Sequence, residues 1–321
     1  MIFRALHEAK PGKKWRELFR AYWPAYRKWF EAASCGPDYK TCRKALREHM
    51  PELVPVHDRL RRLVGADETM SRFLSFYCPP AYAVACSQAV WPGPEPLLVR
   101  NYDYRPDCFD AIVLGTGWGG KQVVGVTDCL FGLLDGINED GLAVSLTFGG
   151  RSAVGEGFAI PLILRYILQT CTTAAEAAEV LVRIPSHMAY NVTALDEHGG
   201  RATVSVGPDR EAEVTDAPVA TNHQRGYEEE ARSRAADTQH REDFLLGQLF
   251  EQRPDQQAFC AAFLAPPLRS RAFSRGFGTL YTAAYRPRDR SMELMWPGTS
   301  WAFPAGKFED GHRIAVYPDA A

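Results

Sequence analysis

The stretch "PPAYAVACSQAVW", residues 79–91, holds one cysteine, Cys86, inside a run of small apolar residues. A free cysteine is most often a buried, inert thiol. Placed first on a strand, it offers more. If the chain were cut before it, Cys86 would carry both a thiol and its own α-amine, with a pKa of about 7.7–8.0. A nucleophile with a general base on the same residue is a working activation scheme for acyl chemistry. Ala85, which precedes the thiol, is small and leaves its carbonyl open to attack. The next strand-like run, "EPLLVRNYDY", is joined to the first by "PGP". That reads as a β-hairpin, and it is expected to set Arg100 and Asp103 across the ladder from Cys86.

The elements that must hold these residues change character at about residue 80. Before it, amphipathic helices are expected over 12–33 (interrupted by Pro24), 38–49, 52–64 and 67–77. After it, alternation predicts strands over 110–116, 121–127, 130–137 and 141–148. Helices follow in "IPLILRYILQTC" and in "TTAAEAAEVLVRI", where Thr172/Thr173 and Glu176 form a capping-box pattern. "YNVTALDEHGGRATVSVG" reads as a hairpin with "HGG" at its tip. Helices are expected at about 229–250 and 255–264, and "TLYTAAYRPRDRSMELMW" closes as another hairpin. Blocks of antiparallel strands alternating with helix pairs point to a layered α+β domain, not to a doubly wound sheet. "GTGWGG" (115–120) matches a dinucleotide fingerprint, but strand-like "KQVVGV" follows it where a helix N-terminus is needed. A glycine-rich hairpin turn is the better reading.

At 321 residues the chain can bury a large core. No apolar run approaches the roughly 20 residues of a membrane span, and the N-terminus lacks a secretory h-region. Eight cysteines without a C-x-x-C pair fit neither a disulfide scaffold nor a zinc ribbon. A cytoplasmic, reduced protein is expected, with "NVT" at 191–193 a coincidental match to a glycosylation site. Residues 1–85 carry 16 Lys/Arg against 9 Asp/Glu, and the remainder 21 against 30. The basic segment interleaves its charges with Trp15, Phe19, Tyr22, Trp23, Tyr26, Trp29 and Phe30. A stripe of that kind is expected to dock on the acidic body. A nucleic-acid or membrane patch is the competing reading.

Five segments occur in a telling order: "ACSQAVW", "LLVRNYDY", "GLLDGINEDGLAVSLTF", "YNVTALDEHG" and "VATNHQ". Together they resemble the N-terminal-nucleophile (Ntn) hydrolases of the choloylglycine hydrolase superfamily. Within it, the isopenicillin N acyltransferase type (acyl-coenzyme A:6-aminopenicillanic acid acyltransferase, peptidase family C45) is most similar, over roughly residues 15–300. The resemblance implies a four-layer αββα fold with a helical N-terminal pro-segment, made as an inactive precursor. Self-cleavage at Ala85–Cys86 would give a small chain, 1–85, that stays associated with a catalytic domain, 86–321. It implies Cys86 as nucleophile, Arg100 and Asp103 orienting the amine and tuning the thiol, and Asn222 donating to the oxyanion. It also places Asn191 on a strand beside the site. An arginine beyond Asn222 completes the set, for which Arg234 and Arg241 compete, with Arg241 preferred because "REDFLLGQL" continues as a helix. His223 reads as structural, since a cysteine with its own amine needs no second base.

Two departures stand out. Thr147 occupies a position where many relatives carry Asn, and a hydroxyl has one donor where an amide has two. Ala85 stands where the acyltransferases commonly carry glycine; it is small enough for an N→S acyl shift but restricts φ more. The implied activity is acyl transfer from an amide, or from acyl-coenzyme A as co-substrate, to water or an amine. The implied partners are that small-molecule substrate and the chain's own N-terminal fragment, with no cofactor, metal, nucleic acid or membrane. The alternative is a non-catalytic binding protein that keeps the fold and uses the basic aromatic segment as its interaction surface.

Overall fold

Two β-sheets lie face to face, and the alternation of side chains along their strands decides what sits between them. The computed structural model describes residues 1–32, 36–82, 84–227, 229, 237–275, 277–304 and 306–317. Among these, the strands are β1 (Ile2–Glu8), β2 (Ala85–Trp91), β3 (Leu97–Tyr104), β4 (Ile112–Thr116), β5 (Val123–Asp128), β6 (Gly132–Asn138), β7 (Ala143–Phe148) and β8 (Tyr190–Leu195). They continue as β9 (Arg201–Gly207), β10 (Arg210–Thr215), β11 (Val219–Ala220), β12 (Arg271–Ala272), β13 (Phe277–Arg286), β14 (Ser291–Trp296), β15 (Thr299–Phe303) and β16 (Gly311–Ile314). One sheet has nine strands in the order β10-β9-β8-β7-β6-β5-β4-β1-β16. The other runs β11-β2-β3-β13-β14-β15, with β12 paired to β13.

The helices are α1 (Lys13–Ala32), α2 (Tyr39–His49), α3 (Val54–Val64), α4 (Glu68–Ser75), α5 (Ile160–Thr170), α6 (Ala174–Arg183), α7 (Thr238–Gly247) and α8 (Gln256–Phe263). α5 and α6 cover the nine-stranded sheet, α7 and α8 cover the smaller one, and β2 meets β7 between the sheets. This is the four-layer αββα arrangement. A second, smaller core of Ala89, Val99, Leu245, Phe259 and Phe263 seals α7 and α8 to their sheet. The capping box forms as expected: the Thr173 hydroxyl takes the Glu176 amide and the Glu176 carboxylate takes that of Thr173. "GTGWGG" forms the tight connection between antiparallel β4 and β5.

Two features of the N-terminal region differ from expectation. The segment is not wholly helical: β1 pairs parallel with β4 and antiparallel with β16 inside the large sheet. α1 runs unbroken through Pro24. The cost of a proline inside a helix is offset by the tertiary burial of Trp15, Leu18, Phe19, Trp23 and Phe30 along one face. Of the helix expected at about 229–250, the described part is α7, Thr238–Gly247, and residues 228 and 230–236 lie outside the described residues. The aromatic stripe is docked, as expected. Trp15 Nε1 donates to the Leu130 carbonyl at 2.9 Å, fixing α1 against the body. No helix among the described residues is long and apolar enough to cross a membrane.

Candidate active site

The hairpin β2–β3 positions the first residues of the site. Its register sets Cys86 opposite Tyr102, Ala85 opposite Asp103 and Gln88 opposite Arg100. Neither Arg100 nor Asp103 is therefore directly across from the cysteine, which faces Tyr102. Side chains two apart share a face and those an odd number apart do not. Cys86, Gln88, Arg100 and Tyr102 point into the space between the sheets. Ser87, Asn101 and Asp103 point to the other side, toward α7 and α8.

Between the sheets, Arg100 is fully buried. Its Nη2 donates to Cys86 Sγ at 3.3 Å and its Nε to the Leu146 carbonyl at 2.8 Å. Nη1 meets the Asp135 carboxylate, which also accepts from the hydroxyls of Tyr281 (2.7 Å) and Tyr285 (2.5 Å). Gln88 bridges the sheets as well, accepting from Ser145 at 2.6 Å and donating to Thr193 at 2.8 Å. Burial pushes the Cys86 thiol up, the Arg100 guanidinium draws it back, and Asp103 adds a smaller upward push.

On the opposite face Arg241, from α7, forks around the cysteine backbone. Nη1 donates to the Cys86 carbonyl at 2.7 Å and to Ser87 Oγ at 2.6 Å, and Nη2 to Asn222 Oδ1 at 2.9 Å. It lies 3.8 Å from Asp103, whose other oxygen accepts from Thr279 at 2.6 Å. Burial raises the Asp103 carboxyl against the pull of Arg241. Arg241 is the arginine the structure brings to the site, while its competitor Arg234 lies outside the described residues.

Asn222 sits where the ladder runs out. β11 pairs with β2 only through Val219 and Ala220, so beyond it a side chain replaces the missing strand. Asn222 Oδ1 accepts the Cys86 backbone N–H at 2.8 Å, and its amide donates to the Phe148 carbonyl at 3.0 Å. Gly150, at φ +72°, passes so close that a Cβ there would lie 2.2 Å from the Asn222 carbonyl oxygen. Asn191 stands one layer back. Its amide holds the carbonyls of Thr221 (3.1 Å) and His223 (2.9 Å), and its own carbonyl accepts from Ser205. The Thr147 hydroxyl donates to the Thr221 carbonyl at 2.8 Å, so its single proton is already engaged. His223 turns away to Glu242 (3.1 Å) and the hydroxyls of Thr221 and Thr238.

Sequence reading passed over Asp135, Tyr281 and Tyr285. Asp135 stands inside "GLLDGINEDG", and its signal was a carboxylate in the middle of a fully buried strand. Among the described residues no group of three His, Cys, Asp or Glu is placed to hold a metal. The arrangement can present a thiol to a guanidinium and the nitrogen of the same residue to an amide oxygen.

No curated protein matches the sequence. Similar solved structures include a mutant conjugated bile acid hydrolase from Clostridium perfringens (12% identity, 72% of this chain and 97% of that one, TM-score 0.47). Others are penicillin V acylase from Agrobacterium tumefaciens (15%, 69% and 87%, 0.47) and the Caenorhabditis elegans ortholog of N-acylethanolamine-hydrolyzing acid amidase (18%, 63% and 93%, 0.46). Residues 91–301 match the family described as acyl-coenzyme A:6-aminopenicillanic acid acyl-transferase. The match covers well over half of the chain, and the chain belongs to that family.

Proposed function

We propose that the chain cleaves itself at Ala85–Cys86 and uses the freed Cys86 to move acyl groups. The family match begins at residue 91, so the nucleophile is argued from geometry. One observation carries it: the Sγ and the backbone N of a single residue are held by separate buried donors and acceptors, Arg100 on one face and Asn222 with Arg241 on the other. In the cut, Sγ adds to the Ala85 carbonyl, the C–N bond breaks and the nitrogen takes the proton. Water then hydrolyses the resulting thioester. Ala85 lies in the extended backbone of β2, which alanine adopts readily. β1 and the buried face of α1 would keep the 85-residue piece in place.

In turnover, the α-amine takes the thiol proton as Sγ attacks an amide or acyl-coenzyme A carbonyl. The leaving amine or thiolate receives that proton as its bond to carbon breaks. Water or an acceptor amine then attacks the acyl–Cys86 thioester, passes a proton to the α-amine and releases the thiolate. Arg100 stabilises the thiolate by charge and a hydrogen bond. The amide of Asn222 supports the oxyanion, a donor typically worth about 10²–10³ in rate. No cofactor enters this scheme. Seven described cysteines are unpaired, which supports a reducing, cytoplasmic setting. Intact-mass analysis tests the proposal: chains of 85 and 236 residues are expected, and none in Cys86→Ala. A permanently single chain without thiol-dependent amidase or acyltransferase activity overturns it.

A further inference from the structure

A cavity of about 220 Å³ opens between α1 and the catalytic body. Its walls are aromatic: Tyr26 and Trp29 from α1, Tyr82 just ahead of the proposed cut, and Tyr104 and Phe109 from the end of β3 and beyond. It is also one-sided in charge. Asp107, Asp110 and Asp128 line it, and among the described residues no Lys, Arg or His does.

Asp107 is exposed and paired with Arg105. The other two are not so neutralised. Asp110 is 4% and Asp128 9% exposed, and neither has a cationic partner within 4 Å among the described residues. Asp110 accepts from the Tyr26 hydroxyl, the Leu130 amide (3.0 Å) and Thr127 (3.2 Å). Asp128 accepts from the Cys129 amide at 3.0 Å and from the Tyr82 hydroxyl. Those are neutral donors. Burial and the neighbouring Asp128 charge push Asp110 up to about 7, and burial pushes Asp128 up to about 6. Near neutral pH the cavity therefore holds negative charge, in an apolar setting that makes it costly.

The cavity lies one ring from the thiol. Tyr102, opposite Cys86, packs 5.9 Å from Tyr104 and 5.4 Å from Phe109 (centroid to centroid), and both of those rings line the wall. Tyr82, on the N-terminal side of the proposed cut, lines the same cavity.

We propose that this cavity binds the ammonium group of an amine-bearing substrate or acceptor, with Asp128 and Asp110 as counter-charge and the rings of Tyr26, Trp29, Tyr82 and Tyr104 as a cation-accepting cage. Aromatic faces attract cations, more strongly when both are desolvated, and a well-formed pocket with a few convergent polar groups is where ligands bind. The charge excludes the phosphates of coenzyme A and the carboxylate of 6-aminopenicillanic acid from this space. The inference rests on Cys86 as the acyl carrier, and its test is made independent of that role.

The test uses the full-length Cys86→Ala chain, which cannot cleave or turn over. Binding of three isosteric probes, benzylamine, benzyl alcohol and benzoate, is measured by ligand-observed NMR titration at pH 7.5. Benzylamine is expected to bind about tenfold tighter than benzyl alcohol, with benzoate weakest. Adding Asp128→Asn, which keeps the size of the side chain and one acceptor oxygen, should remove about tenfold from benzylamine and leave benzyl alcohol within about twofold. The proposal is overturned if benzylamine binds no tighter than benzyl alcohol, if no probe binds, or if the preference survives Asp128→Asn. The three-probe comparison stands even if the double variant fails to fold. Loss of self-cleavage or turnover in the native chain would count against Cys86, not against the cavity.

Discussion

Replacing Asp135 by Asn tests whether the buried ion pair behind Cys86 serves the thiol or the fold. Asp135 and Arg100 are both fully buried. Asparagine keeps the size of the side chain and one acceptor but strands the guanidinium, leaving it the Tyr281 hydroxyl, the Leu146 carbonyl and Cys86 Sγ. Removing one member of such a pair costs about 3–5 kcal/mol. The Tyr281 and Tyr285 hydrogen bonds also lose their charge assistance, and that loss falls within the same range. Urea denaturation followed by tryptophan fluorescence should show the midpoint fall at unchanged slope. The double variant Arg100→Met with Asp135→Leu separates the two roles. An apolar replacement of a buried pair is often neutral or stabilising, but the buried Tyr281 and Tyr285 hydroxyls lose their acceptor, so only part of the stability should return. Self-cleavage and thiol-dependent activity should not, because no cation faces Sγ. A single variant that loses under about 1 kcal/mol, or a double variant that cleaves at the native rate, refutes the reasoning.

Arg241→Lys should lower activity by about 10²-fold, because one ammonium cannot replace the fork that joins the Cys86 carbonyl, Ser87 and Asn222; activity within threefold of native, measured on the same substrate, counts against it. Gly150→Ala puts a methyl into the Asn222 carbonyl at a positive φ, so cleavage seen by gel should be lost and stability reduced by about 1–3 kcal/mol. Native processing in that variant would show that Asn222 tolerates displacement. Asp110 and Asp128 have folded-state values above the unfolded one, about 7 and about 6 against about 3.9. The folded chain thus binds more protons across that window, and these groups make stability fall as pH rises from about 4 to about 7. Asp128→Asn should flatten the fall in urea midpoints over pH 4–8, and an unchanged profile would refute it.

The sequence carried the helices of the first 80 residues closely, because their apolar positions recur at helical spacing and each has its own capping or turn chemistry. It missed β1, although "IFRALHE" alternates exposed and buried residues at its start. An isolated strand needs partners to be recognised, and those partners, β4 and β16, lie about 110 and 310 residues away in the chain. Cys86, Arg100, Asp103, Asn191, Asn222 and Arg241 were all legible through motif resemblance, and the structure gathers them. How they divide was not. The one-residue offset that sets Tyr102, not Asp103, opposite Cys86 is a matter of register, which hairpin length and sheet packing decide.

Composition and local pattern alone determined a chain with a large core, alternating blocks of strand and helix, and a thiol set at the start of a strand behind a small residue. Only the tertiary structure decided what that thiol meets. Asp135 reaches Arg100 from the other sheet while Tyr281 and Tyr285 donate to that carboxylate, and the acid-lined aromatic cavity forms only where α1 lies against the body. Both depend on contacts between residues far apart in sequence. No local spacing encodes such contacts, because they are set by how the layers stack and by which groups that stacking removes from water.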